Sequence, residues 1–303
     1  MSATPISRPC PVCGAGEAAN YLLKGELRLV RCRRCGMVFV NPVPDEFASG
    51  KYYNKLGTDY YLSPAKLESD FADVRFEREL RLFRKHCARG AVLDVGCSTG
   101  AFLYQLNRRF PGDYDLVGND ASGPALDYAA ARGVVVVRGA FPEEDFAGKA
   151  FDAVTFWAVL EHLYDPKAFL EKAGAVLKPQ GLCFVLVPNM QSLAARLLGR
   201  RYRYVYAQHL NYFTRRTLVT LVQARFCVLA SVSTHFNPVV VWQDWRRGGK
   251  EVSDNQRAEL LKRTTAYKQN PWLKPVSGLY HLTERALGWL NLADNLVLVL
   301  RKK

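Results

Sequence analysis

Four cysteines stand in two close pairs near the start of the chain, Cys10-Pro11-Val12-Cys13 and Cys32-Arg33-Arg34-Cys35, with the 18 residues Gly14 to Arg31 between them. That interval is long enough for a short hairpin that returns the second pair to the first, and four thiolates then surround one Zn²⁺ tetrahedrally. Gly14 and Gly36 follow the last cysteine of each pair, where a residue without Cβ admits a tight turn that points backbone N–H groups at the sulfurs. Four protein ligands leave no open position for water or substrate, so the expected zinc is structural, not catalytic. Cys87, Cys97, Cys183 and Cys227 are scattered, and in a cytosolic chain the clustering of the first four reads as a metal site and not as disulfides.

A second group of residues has the form of a ligand loop. The run Gly96-Cys97-Ser98-Thr99-Gly100 sits between a β-rich apolar segment, Ala91 to Val95, and a helical stretch, AFLYQLNRR. Gly96 lets the backbone approach a ligand, and Gly100 allows tight packing where the helix begins. The next strand, Asp115 to Asn119, ends in Asp120, 24 residues beyond Gly96. A carboxylate there accepts hydrogen bonds from ribose hydroxyls. The pattern G-x-G-x-x-G is not met, because the residue three beyond Ser98 is Ala101, which argues against a dinucleotide-dependent oxidoreductase.

These residues need a parallel α/β sheet to hold them, and the alternation of segments predicts one. Val134 to Val137, Phe151 to Phe156 and Leu182 to Val187 read as strands, with a helix from Pro166 to about Leu177 whose cap is Asp165 and whose buried stripe is Phe169, Leu170, Ala173, Val176 and Leu177. Lys178-Pro179-Gln180-Gly181 ends that helix. Thr214 to Phe226 reads as helix, Val228 to His235 as a sixth strand and Asn295 to Arg301 as the last. Ahead of the sheet, Asn41-Pro42-Val43-Pro44 is a stiff exit from the cysteine segment, and the tyrosine-rich Tyr52 to Tyr61 is placed to cover a pocket. Ser63 and Pro64 then open one amphipathic helix carrying Leu67, Phe71, Val74, Leu80, Phe83 and Cys87 inward, with Arg75, Glu77, Arg78, Glu79 and Arg81 as its solvated face.

At 303 residues and about 150 per domain, one large domain or two unequal ones are expected. Hydrophobic residues make up 49%, charged 23% and aromatic 12%, which excludes a disordered, collagenous or low-complexity chain. No stretch approaches the roughly 18 unbroken apolar residues of a membrane span, and MSATPISRPC lacks the apolar core of a signal peptide, so the cytoplasm is the expected location. Forty-two Lys and Arg against 28 Asp and Glu leave a charge of +14, which suits nucleic acid, a phosphorylated small molecule or an acidic membrane surface.

The segments VLDVGCSTGAFL, the acidic Asp120, FDAVTFWAVLEHLYDP and VLKPQGLCFVLVPN together resemble the successive motifs of class I S-adenosylmethionine (SAM)-dependent methyltransferases. The resemblance covers about residues 89 to 236 and the last strand, with Ser98 where many members have glycine. It implies a Rossmann-like seven-stranded sheet whose last strand is antiparallel, in a methyltransferase domain of residues 89–303 that carries a helical insertion at about 237–292. A zinc ribbon (1–45) and an aromatic linker with a lid helix (46–88) precede it. It further implies that Asp94, Gly96, Cys97 and Ser98 line the methionine end of the cofactor, that Asp120 holds the ribose, that Ala140 and Phe141 flank the adenine and that Trp157 borders the sulfonium. Gly100 and Ala121 complete the cofactor set.

After the fifth strand, Tyr206-Ala207-Gln208-His209-Leu210-Asn211-Tyr212-Phe213 is similar to the YHEHxSYF segment of zinc-ribbon deoxysugar C-methyltransferases, which this chain also resembles in its ribbon and following tyrosines. Tyr206 and His209 match acceptor-site positions, while Gln208 replaces a glutamate. A sulfonium needs no activation as an electrophile, so the enzyme has to align the acceptor and remove its proton. An imidazole does that at neutral pH. Of the five histidines, His86 and His281 read as structural, His162 as a second pocket residue and His209 as the base. Arg196, Arg200, Arg201 and Arg203 among the tyrosines suit a phosphate beside a sugar or ring, so the expected acceptor is a small molecule, a nucleotide- or lipid-linked sugar or glycoconjugate methylated on a hydroxyl or carbon.

Two rivals remain at this level. An RNA methyltransferase is favoured by the charge and a ribbon able to grip nucleic acid, but Phe156-Trp157-Ala158-Val159 lacks the Asp/Asn-Pro-Pro-aromatic turn of exocyclic amino methylators. A catalytically silent module would bind cofactor and use the ribbon for partners. The insertion holds Trp242, Trp245, Trp272 and Trp289 with Arg246, Arg247 and Lys250; packing against the sheet is its expected use, and peripheral membrane contact the alternative.

Overall fold

The computed structural model describes residues 5–50, 52–53, 60–250, 252–269 and 274–303. The ribbon segment forms β1 (Ala18–Lys24), β2 (Leu27–Cys32) and β3 (Val38–Val40), followed by α1 (Asp45–Ala48), α2 (Pro64–Asp70) and α3 (Glu77–His86). The main sheet is built from β4 (Gly90–Val95), β5 (Tyr114–Asp120), β6 (Val135–Arg138), β7 (Phe151–Trp157), β8 (Leu177–Pro188), β10 (Phe226–Thr234) and β11 (Asn295–Lys302). Between these strands lie α4 (Ala101–Arg109), α5 (Gly123–Ala130), α6 (Pro166–Val176), α7 (Leu193–Leu198), the two-residue β9 (Asn211–Tyr212) and α8 (Arg215–Val222); α9 (Pro238–Arg247), α10 (Asp254–Gln269) and α11 (Lys274–Trp289) separate β10 from β11.

The seven strands run in the order β10-β11-β8-β7-β4-β5-β6. β4, β5, β6, β7 and β8 are parallel, and β11 enters antiparallel between β8 and β10. The near-continuous apolar composition of β4, β7 and β11 follows from burial on both faces. Order reverses on either side of β4, so a crevice opens at the carboxyl ends of β4 and β7, where ligands of open α/β sheets bind. Asp165 caps α6 by accepting from the Lys167 and Ala168 N–H groups, as the sequence predicts.

A second sheet, β1-β2-β3-β9, joins the ribbon to the main domain. Its last strand comes from the loop after His209, with Val38 opposite Tyr212 and Phe39 opposite Asn211. One core runs through both parts: Cys10, Val30, Met37 and Phe39 cluster with Phe156, Leu160 and Phe213.

Three expectations change. The helix from Pro64 is two helices, broken over 71–76 because Phe71 turns onto Tyr104 and Phe76 onto Phe102 while the Gln105 amide donates to the freed carbonyls of Phe71 and Ala72. The solvated face is interrupted by Glu79, 6% exposed and bonded to His235, and by Arg78, which pairs with Glu284. In the insertion, Trp242, Trp245 and Trp289 are 54%, 60% and 90% exposed instead of packed on the sheet; α11 meets β10 through Gly288, and α10 packs on α2 through Ser69 and Thr265. Trp272 and the middle of the tyrosine-rich segment, 54–59, lie outside the described residues. Among the described residues no helix is long and apolar enough to cross a membrane.

Candidate active site

The β1–β2 hairpin brings the cysteine pairs together as their spacing predicts. The sulfurs of Cys10 and Cys35 are 3.5 Å apart, those of Cys13 and Cys32 3.6 Å, and all four lie within 4.8 Å of one another. Four thiolates at the usual Zn–S length stand about 3.8 Å apart at the corners of a tetrahedron, so the donor set fits the metal. Backbone N–H groups of Val12 and Cys13 point at the Cys10 sulfur, and those of Arg34 and Cys35 at Cys32. Gly14 and Gly36 sit at φ +72° and +79°, left-handed turns that L side chains rarely adopt.

At the end of β4 the glycine loop folds back on Asp120. One carboxylate oxygen accepts the Ser98 N–H at 2.8 Å and the other the Ser122 N–H at 2.8 Å, which fixes the loop and leaves lone pairs for a ribose. Burial holds the Asp120 carboxyl above its ordinary range. Asp94 is 3% exposed and accepts from the Thr155 hydroxyl at 2.6 Å; burial pushes it up to about 7. Gly96 is at φ +71°, and a Cβ there would meet Val159 Cγ2 at 2.6 Å. Ser98 holds φ +51° without being glycine. The Ser98 and Ser122 hydroxyls and the Trp157 indole N–H are buried with no hydrogen-bond partner among the described residues, as expected of a cradle whose polar atoms belong to a ligand. Cys97 lies beneath the loop with its sulfur against Gly118, Gly100 packs on Ala129, and Ala121 follows Asp120 at the strand end.

Two residues expected at the cofactor also pack into the core. The Phe141 ring is fully buried against Phe146, Phe156 and Phe169, so it serves the core and leaves exposed Ala140 at the rim. Trp157 stands at the end of β7, but its ring is wedged against Phe102 and Phe184 at centroid distances of 5.1 and 6.3 Å.

The loop 202–213 closes the other side. Asn211 donates to the carbonyls of Leu160 and Leu163, the Leu210 N–H to Glu161, and Arg8 of the ribbon donates to the carbonyl of Leu210 and the Asn211 side chain at 2.9 and 3.0 Å. The loop is thereby stitched to the turn after β7, and His209, 3% exposed, meets Tyr206 at a ring distance of 4.4 Å and His162 at 4.7 Å. The three residues assigned to acceptor chemistry thus meet in space. His162 Nδ1 lies 3.0 Å from the Gln208 carbonyl, so it carries the proton and leaves Nε2 facing Glu161. Burial lowers His162 to about 4 and His209 well below its ordinary value, and it pushes Glu161 up to about 8. At neutral pH both imidazoles are free bases beside a protonated carboxyl. Tyr53 lies edge-on to His162 at 5.8 Å, and the Gln208 amide donates to the Tyr52 hydroxyl.

Glu161 adjoins His162 in sequence and was readable there; Arg8 carried no signal. Arg203, expected to face a phosphate, is instead 6% exposed and forked onto Asp244 of α9 at 2.9 and 2.6 Å, while Arg196, Arg200 and Arg201 are exposed beyond the pocket.

A sheet of this order, with a glycine loop and an acidic strand end at its switch point, is the Rossmann-like arrangement of class I SAM-dependent methyltransferases. A family model described as "Methyltransferase domain" matches residues 71–231, more than half of the chain. The chain belongs to that family. It is 31% identical over 119 residues to a "Ubiquinone biosynthesis O-methyltransferase" of Mesorhizobium japonicum, covering 37% of this chain and 47% of that protein. The chain spans about half the length of such curated relatives. Among solved structures, a "SAM-dependent methyltransferase, possible histamine N-methyltransferase" from Thermotoga maritima superposes with a TM-score of 0.51 at 18% identity, over 78% of this chain and 92% of that one. The N-methyltransferase NodS of Bradyrhizobium japonicum, in complex with S-adenosylhomocysteine (SAH), gives 0.50 at 13% identity, over 82% and 98%. At such identities these two show the fold alone.

Proposed function

We propose that the chain methylates a hydroxyl or carbon of a small polar acceptor, a nucleotide- or lipid-linked sugar or glycoconjugate, with His209 as the base that takes the acceptor's proton. Bound SAM supplies an electrophilic methyl group; Asp94, the 96–100 loop and Asp120 are the residues that hold it. The observation that carries the reading is the enclosure of His209 between the Tyr206 and His162 rings, at centroid distances of 4.4 and 4.7 Å. Tyr206 and the amide of Gln208 offer hydrogen bonds to a hydroxylated acceptor, and His162, its Nδ1 proton committed to a carbonyl, keeps the second imidazole oriented. Burial keeps His209 in its neutral form, with the ring nitrogens unprotonated by solvent, at the cost of a lower proton affinity.

In the same reading Cys10, Cys13, Cys32 and Cys35 hold a structural zinc, residues 1–45 form the ribbon, 46–88 the linker and lid, and 89–303 the catalytic domain. The exposed Trp242 and Trp245 with Arg246 and Arg247 supply a surface suited to peripheral membrane contact. The test is incubation of the zinc-loaded chain with SAM and a panel of nucleotide-linked sugars, read as a one-methyl mass gain in the acceptor. His209→Asn is expected to abolish the gain. A mass gain on neutral aglycones or RNA alone would refute the acceptor class.

A further inference from the structure

Arg257 lies in the first turn of α10, far in sequence from every motif of the fold. Its side chain is 12% exposed, and its Cζ stands 3.7 Å over the ring of Tyr206, the ring that rests on His209. Two of its donors go to backbone carbonyls, Nε to Val252 at 3.1 Å and Nη2 to Arg203 at 3.2 Å. The nearest carboxylate, Asp254, is 4.0 Å from Nε, beyond hydrogen-bond range, and Nη1 has no partner among the described residues. Its positive field bears on His162, His209 and Tyr212. A nearly buried guanidinium with an incomplete counter-ion is costly unless an anion completes it. The open edge presents N–H donors in the planar fork that matches phosphoryl oxygens. Arg203 cannot serve, being spent on Asp244.

We propose that Arg257 is the residue that recognises a phosphoryl group on the methyl acceptor, beside the Tyr206 ring that also contacts His209. This rests on the acceptor pocket assigned above and narrows its substrate class to phosphorylated molecules. The insertion then has a use: it carries the specificity-determining cation into a site whose base comes from the loop after β8.

The zinc-loaded full chain with saturating SAH is titrated calorimetrically with uridine diphosphate, inorganic pyrophosphate, dodecyl phosphate and neutral uridine, for wild type, Arg257→Gln and Arg257→Lys. Wild type is expected to bind at least one phosphorylated probe, and Arg257→Gln to weaken it at least tenfold with Arg257→Lys between. Affinity for SAH, and for uridine where it binds, should stay within twofold. Preference for uridine diphosphate identifies a nucleotide source of the phosphoryl group, and preference for dodecyl phosphate a lipid source. Equal affinity of the phosphorylated probes for wild type and Arg257→Gln overturns the assignment, as does equal weakening of uridine, which marks a structural role. A parallel loss of SAH affinity assigns Arg257 to the cofactor instead. If wild type binds none of the phosphorylated probes, the phosphoryl reading fails, whereas methyl transfer itself stands or falls on the product-mass assay.

Discussion

The chemistry of the pocket is set by how few of its ionisable groups touch water. His162 and His209 are held below the ordinary histidine value chiefly by burial, so their basic forms persist through neutral pH. The acid limb of kcat/KM for methyl transfer is therefore expected below pH 6, and a limb centred near 6.5, the value of a free imidazole, would remove His209 from the role of base. His209→Asn should lower kcat by about a hundredfold or more while SAH affinity changes little. Glu161 gives a second test. Its folded value, about 8, lies above the carboxylate value of the unfolded chain, so stability is fully present below the unfolded value and is lost as pH rises through the folded one. Glu161→Gln keeps the shape and removes the titration, so its melting temperature relative to wild type should climb between pH 5 and pH 8. At the cofactor edge, Asp120→Asn should weaken SAH about tenfold, the worth of a charge-assisted hydrogen bond.

Elements matter here because His209, the proposed base, sits on a loop with little secondary structure of its own. What holds it is β9, two residues long and paired with the ribbon strand β3, together with the Arg8 guanidinium on Leu210 and Asn211. The cysteine cluster sits at the ends of the same β1–β2–β3 sheet, so the proposed zinc site and the proposed acceptor loop share one scaffold. Chelation should accordingly raise amide exchange over 204–212 together with 38–40 and depress methyl transfer, while SAH binding at the far end of β4 holds within threefold. Unchanged exchange in that loop after metal loss would uncouple the two. Arg8→Ala should reproduce the effect with zinc still bound.

Across the whole molecule the ribbon and the sheet are not separate folding units. Phe39 from β3 and Phe213 beside β9 pack into the core that contains Phe156 and Leu160, so heat should unfold both parts in one transition. Phe39→Ala, which empties a fully buried ring site, should cost about 3–5 kcal/mol and lower ribbon and sheet together. Two resolved transitions in calorimetry would contradict that. SAH should raise the single midpoint in proportion to the logarithm of its concentration, since only the folded chain binds it.

By itself the sequence determined what depends on local pattern. The strand–glycine-loop–helix unit, the position of Asp120, the cap at Asp165 and the spacing of the four cysteines each follow from short-range geometry and are found within a residue or two of where they were read. Tertiary structure alone decided the pairings between distant segments: which arginine is spent, since Arg203 meets Asp244 and leaves Arg257 over Tyr206; which charge is buried, as with Glu79 against His235; and why the Phe141 ring joins the core. Residue type fixes what a side chain can do and periodicity fixes the element it rides on. Its partner, and so its charge state and its availability to a ligand, is set by long-range packing that no local pattern encodes.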